Sequence, residues 1–153
     1  MSSKAEEQIQ LAIVNYIRYQ YPSVIFHSDF GSGIKLTMGQ AIKQKRLNGG
    51  RRSWPDMFIA EPMARKIDLS KDSPFDKATK LVMYAGLFIE LKREGTRIFK
   101  KDGALVADEH IREQFDMLAD LRQRGYAAEF GIGFDATKKL IDDYMKGKYA
   151  HVD

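Results

Sequence analysis

Glu90 and Lys92 stand two residues apart in Leu87-Phe88-Ile89-Glu90-Leu91-Lys92, a run whose other members are apolar. Side chains on a strand alternate between faces, so the acid and the ammonium project from one face while Ile89 and Leu91 project from the other. Pro55-Asp56 sets a second carboxylate at the start of the apolar run Met57-Phe58-Ile59-Ala60. Proline fixes φ there, and the side chain that follows is free to point into a cleft. Two helical residues join this group. At about 100° per residue, Glu6 falls roughly 50° from the centre of the Ile9, Ile13, Ile17 face and Glu7 roughly 150° away, so Glu6 faces the sheet and Glu7 faces solvent. Gln114 lies within the arc of Ile111, Leu118 and Leu121, which directs an amide toward the interior. Carboxylates beside an amine are the material of acid–base and cation-assisted chemistry. Each feature also has a plain structural alternative: a solvated strand edge for Glu90 and Lys92, a turn for Pro55-Asp56, a capping box for Glu6, and a satisfied core amide for Gln114.

The elements that must position these residues follow from periodicity and punctuation. Ser3-Lys4-Ala5-Glu6 reads as a capping box, and helical apolar spacing then runs over about 4–20 until Pro22. Val24-Ile25-Phe26 predicts a short strand, ended by the glycines of Phe30-Gly31-Ser32-Gly33. Thr37 with Gln40 predicts a capped second helix to about Leu47, stopped by Asn48-Gly49-Gly50. Residues 57–60 predict a buried strand, residues 61–79 an irregular insertion, and Leu81 to Leu91 one strand with a bend at Ala85-Gly86. Asp108 opens a helix that Gly125 stops. Ala127 to Phe134 predicts a last strand, and Asp135 caps a final helix to about Met145, leaving a short tail over 146–153. This order predicts an α/β fold, one mixed central β-sheet flanked by α-helices.

Size and composition set limits. At 153 residues, with 44% apolar and 11% aromatic content, the chain suits one domain spanning 1–153, with a core over about 5–144. The absence of cysteine excludes thiol catalysis, disulfides and Cys-type zinc sites. The longest apolar stretch, Leu81 to Ile89, is far short of the roughly 20 residues that span a bilayer, and the N-terminus lacks a signal-peptide core, so we expect a soluble, cytoplasmic protein without a membrane partner. The net charge of +4 is unevenly spread: 31–55 carries six cations (Lys35, Lys43, Lys45, Arg46, Arg51 and Arg52) and no acid. Such a stretch is either a solvated face or a polyanion-binding one.

Glu6-x-x-Ile9-Gln10 on the first helix, Gly50-Arg51-Arg52-Ser53-Trp54-Pro55-Asp56, Gly86-Leu87-Phe88-Ile89-Glu90-Leu91-Lys92 and the Gln114 helix ending Leu121-Arg122-Gln123-Arg124-Gly125-Tyr126 together resemble the virus-type replication-repair nuclease (VRR-NUC) domain of the PD-(D/E)xK superfamily. The match covers about Ala5 to Tyr144 and is that of a stand-alone, phage-type member. One departure is the long segment 61–86, where compact members have a tight hairpin. The resemblance implies a restriction-endonuclease-like core and a Mg²⁺-dependent endodeoxyribonuclease, with Mn²⁺ as the alternative ion. It implies that Asp56, Glu90 and the Leu91 backbone carbonyl ligate the cation, that Glu6 holds a water on it, and that Lys92 orients the attacking water. Gln114 is then expected to contact Lys92 or the scissile phosphate.

In that setting Lys35, Lys43, Arg51 and Arg52 are expected to grip phosphates. Trp54 either stacks on a base or packs under Pro55. Stand-alone members resemble Holliday-junction resolvases, so the expected partners are branched DNA and a second copy of the chain, since a C2 dimer matches the two symmetric strands of a junction. Spare apolar material for that interface is sought in Met63, Phe75 and Val82-Met83-Tyr84, the alternative being that this segment only covers its own sheet. A flap or single-strand DNA nuclease is the competing enzyme, and a non-catalytic basic DNA-binding module is the competing class. His27, His110 and His151 show no metal-ligand spacing; His27 touches substrate or is structural, and His151 lies in a frayed tail.

Overall fold

The computed structural model describes residues 4–29, 36–51, 53–68 and 79–151. Ser3, Lys35, Arg52 and Phe75, each singled out above, lie outside them. Among the described residues ten elements follow one another: α1 (Lys4–Gln20), β1 (Phe26–Ser28), α2 (Met38–Leu47), β2 (Met57–Ile59), β3 (Met63–Asp68), β4 (Thr79–Tyr84), β5 (Leu87–Lys92), α3 (Glu109–Gln123), β6 (Ala127–Ile132) and α4 (Gly133–Met145). The central sheet runs β1-β2-β5-β6. β1 and β2 are antiparallel, as are β2 and β5, whereas β5 and β6 are parallel because α3 carries the chain back between them. The sheet is therefore mixed, as the element order predicted.

Period-two alternation along β5 decides which layer each side chain joins. Leu87, Ile89 and Leu91 enter a core with Ile13 and Ile17 of α1, Met57 and Ile59 of β2, and Ile141 and Tyr144 of α4. Phe88, on the opposite face, packs with Met117, Leu118 and Leu121 of α3. Helices thus cover both faces, α1 and α4 one side and α3 the other. Glu90 and Lys92 emerge on the α3 side with Phe88. Asp108 caps α3 as expected, accepting from the Ile111 amide at 3.0 Å. Thr37 and Gln40 form the predicted capping box of α2.

Five expectations are corrected. The segment 61–79 is not irregular throughout, since Met63–Asp68 is a strand paired with Thr79–Tyr84 in a separate hairpin. The strand expected over Leu81–Leu91 is two strands in different sheets. They part at Gly86, where a Cβ would lie 2.8 Å from the Ile59 carbonyl oxygen and 2.6 Å from the Phe58 ring. Asp135 does not cap the last helix: α4 begins at Gly133, which takes φ of 73°, and Asp135 sits in its first turn, where a carboxylate meets the exposed amides. Nor does the C-terminal segment fray as far as His151. Tyr149 is buried against Tyr84 and Tyr144, its hydroxyl donates to Glu129 Oε1 at 2.6 Å, and His151 pairs with the same carboxylate. The first strand is also displaced, starting at Phe26 and leaving Ile25 exposed. No helix among the described residues is long and apolar enough to cross a membrane.

Candidate active site

The end of β5 opens into a cleft of about 910 Å³, and the residues that meet there come from six parts of the chain. Glu90 and Lys92, held on one face by the strand pleat, form an ion pair at 2.8 Å, with relative exposures of 4% and 8%. α3 brings Gln114 over them, where its Nε2 donates to the same Glu90 oxygen. The sheet face and the helix arc read from the sequence therefore converge, but Gln114 meets Glu90 rather than Lys92. Asp56, just before β2, accepts the Leu91 amide at 2.7 Å and so sits beside β5 where β2 no longer pairs with it. Glu6 of α1 approaches from the other layer and accepts from the Arg93 amide at 3.4 Å. Glu7, one residue on, is exposed, as the helical phase predicts.

Electrostatics give this cluster its character. Burial raises the carboxyl of Asp56, opposed by the Leu91 amide and the Lys92 ammonium. Burial likewise pushes Glu90 up, to about 8, and the neighbouring charges of Asp56 and Glu6 add to it while Lys92 pulls it down. Three carboxylates surround one ammonium, so the site carries more negative charge than its own residues neutralise. That excess, with oxygen the donor throughout, fits a hard divalent cation held by Asp56, Glu90 and the Leu91 carbonyl, the coordination sphere being completed by water. Among the described residues no three His, Cys, Asp or Glu side chains converge tightly enough to make a ligand set by themselves. A cation here would therefore rely on two side chains and the backbone, with Glu6 one shell further out.

Other residues were less visible in the sequence. His110 lies one turn before Gln114 on α3, and its Nε2 is 3.1 Å from the Gln114 amide nitrogen. The amide therefore lies between the Glu90 carboxylate, to which it donates, and the His110 ring. This leaves Gln114 Oε1 buried with no hydrogen-bond partner among the described residues. The i, i+4 spacing was the available signal for His110. Ser53 takes φ of 61° just before Trp54-Pro55-Asp56, a strained conformation that sets the direction in which the chain enters the site. Trp54 lines the cleft, half exposed, and also packs against Phe88 at 6.2 Å between ring centres.

Among the expected phosphate-binding residues, Arg51 lines the cleft but pairs with Asp120 of α3 at 2.7 Å, an exposed pair of small energetic weight. Lys43 is not among the residues that line the cleft, whereas Lys45 of the same helix is. His27 is exposed on β1 outside the cleft lining.

Comparison with known proteins agrees on architecture. No family model matches the sequence, and no curated protein matches it. A solved structure described as a "VRR_NUC domain protein" superposes on 99% of this chain and 100% of its own, with a TM-score of 0.58 at 19% identity. The chain therefore has the fold of a VRR-NUC domain.

Proposed function

We propose that this protein is a metal-dependent endonuclease that hydrolyses DNA phosphodiester bonds, with Mg²⁺ as its ion, or Mn²⁺ in its place. The observation that carries this reading is the buried pair Glu90 and Lys92 beside Asp56, at the mouth of a cleft, in a chain with the fold of a VRR-NUC domain. When bound, the cation would neutralise a phosphate oxygen, whose negative charge is the main obstacle to attack on an anionic diester, and would acidify a water. The chain supplies the rest. Asp56 and Glu90 hold the ion, and Gln114 fixes the Glu90 carboxylate in place. Glu6 orients a water from the α1 side. Lys92 faces the position where negative charge builds on the phosphate and stabilises it.

Branched DNA is the substrate we assign, cut by a homodimer in the manner of a Holliday-junction resolvase. Leu81 and Met83, 55% and 59% exposed on the same face of the β3–β4 hairpin, offer apolar surface for the second copy. The test is cleavage of four-way, flap and linear DNA by the purified protein with and without Mg²⁺, alongside Asp56→Asn. We expect cutting only with the ion, loss of cutting in the variant with DNA binding retained, and a solution mass near twice 17.5 kDa. Cleavage by Asp56→Asn at the wild-type rate would overturn the assigned site. A monomer that cuts flaps but not junctions would make the protein a flap nuclease.

A further inference from the structure

A helix usually carries an apolar stripe because the stripe packs on the body of the protein. α2 departs from that rule: among the described residues it buries no side chain, and Met38 is 83% and Ile42 55% exposed. Met38, Ala41, Ile42, Lys45 and Asn48 fall on one side of α2 at helical spacing, and all five line the cleft that contains Glu90 and Lys92. The stripe is thus apolar through the first half of the helix and cationic or polar through the second. Lys43 and Arg46 add positive charge to the same helix, and the sequence from 31 to 55 contains no acid.

An occupant of this surface must offer negative charge and apolar faces together, next to a site built for a phosphodiester. An acidic protein or a lipid surface would have no reason to extend into the catalytic cleft. Nucleic acid fits, with one condition. In a continuous duplex the base faces are stacked on one another and only edges and phosphates are presented, whereas Met and Ile side chains act on DNA by entering a base step. Resting on the nuclease reading, we propose that Met38 and Ile42 form a wedge that occupies an opened base step beside the scissile phosphate, while Lys45 holds the adjoining backbone. The substrate class is then DNA in which a step is already open: a branch point, a gap or a bulge. Uniform duplex, which would have to be unstacked first, is disfavoured.

The test measures binding, independently of cutting, by fluorescence anisotropy in the Glu90→Gln background. The probes are a duplex with a central gap flanked by 2-aminopurine and the same duplex fully paired. We expect preference for the gapped probe and a rise in 2-aminopurine fluorescence on binding. Met38→Gln with Ile42→Gln, which keeps good helix formers at both positions, should lose about ten-fold of that preference and the fluorescence rise while leaving the salt dependence unchanged. Met38→Leu with Ile42→Leu should retain both. Lys45→Gln should weaken the two probes equally and lower the salt slope by about one. A glutamine double variant that keeps the preference and the fluorescence rise would overturn the wedge. Wild type that cuts paired DNA as fast as gapped DNA would also overturn it, leaving the nuclease reading intact. Wild type that prefers gapped DNA but never cuts would overturn the nuclease reading and leave the wedge standing.

Discussion

Replacing Glu90 with glutamine should abolish cleavage and at the same time stabilise the metal-free protein. The carboxylate is 4% exposed, and burial together with Asp56 and Glu6 moves it from its ordinary 4.5 to about 8. At about 1.4 kcal/mol for each tenfold change in proton affinity, that displacement corresponds to at most about 5 kcal/mol of destabilisation once the group is fully ionised. Glutamine keeps an oxygen to accept from Lys92 and removes the charge, so we expect on the order of 2–4 kcal/mol of gain at pH 8 after the site relaxes. The sign is fixed by the direction of the shift. A carboxyl raised in the folded state favours folding most below its unfolded value, and that advantage is lost as pH climbs toward its folded value. Wild type without metal should therefore weaken between about pH 4.5 and pH 8, and the gain from Glu90→Gln should fade toward pH 4.5. Urea denaturation in a chelator at pH 5 and pH 8 measures both, and added Mg²⁺ should stabilise wild type at pH 8 but not the variant. A variant no more stable than wild type at pH 8 would refute the claim that the site carries excess buried charge.

Three further outcomes follow from named contacts. Glu6→Gln should slow single-turnover cleavage at least ten-fold while Glu7→Gln leaves it unchanged, since Glu6 lines the cleft and Glu7 is exposed. For Asp142, burial raises the carboxyl, but hydrogen bonds from Tyr16, Tyr21 and Lys138 outweigh it and hold it at about 2. It therefore contributes about 2 kcal/mol above its ordinary 3.8, lost as pH falls toward 2, and Asp142→Asn should flatten that acid limb of a stability–pH curve. Gly86→Ala should cost about 1–3 kcal/mol in urea melts, because its Cβ meets the Ile59 backbone oxygen and the Phe58 ring and the peptide oxygen has nowhere to retreat.

Residues whose role is set by local periodicity were legible in the sequence, and residues whose role is set by a distant partner were not. Glu90 and Lys92 share a face because any strand alternates, Glu6 points inward because any helix advances by the same angle, and Gln114 follows the same rule on α3. The hairpin partner β3 was hidden because Met-Ala-Arg-Lys-Ile-Asp alternates only partly buried and exposed positions, without an apolar run, and it becomes a strand by pairing with β4. The ordered tail is not legible because nothing near Tyr149 announces the Glu129 carboxylate twenty residues earlier. Arg51 looked free for phosphate because Asp120 lies on another element.

α2 joins the two cases. Its stripe is visible as spacing, and spacing alone does not separate a packing surface from a binding one. Only the tertiary arrangement, which leaves Met38 and Ile42 uncovered in the cleft beside Glu90, turns the same pattern from a packing surface into a binding one. An apolar residue on a solvent-facing wall of a charged cleft gains little from the fold around it, and the wedge we propose gives it a counterpart in the ligand. That is the physical reason to seek the substrate preference of this protein on α2, apart from the carboxylates to which we assign the chemistry.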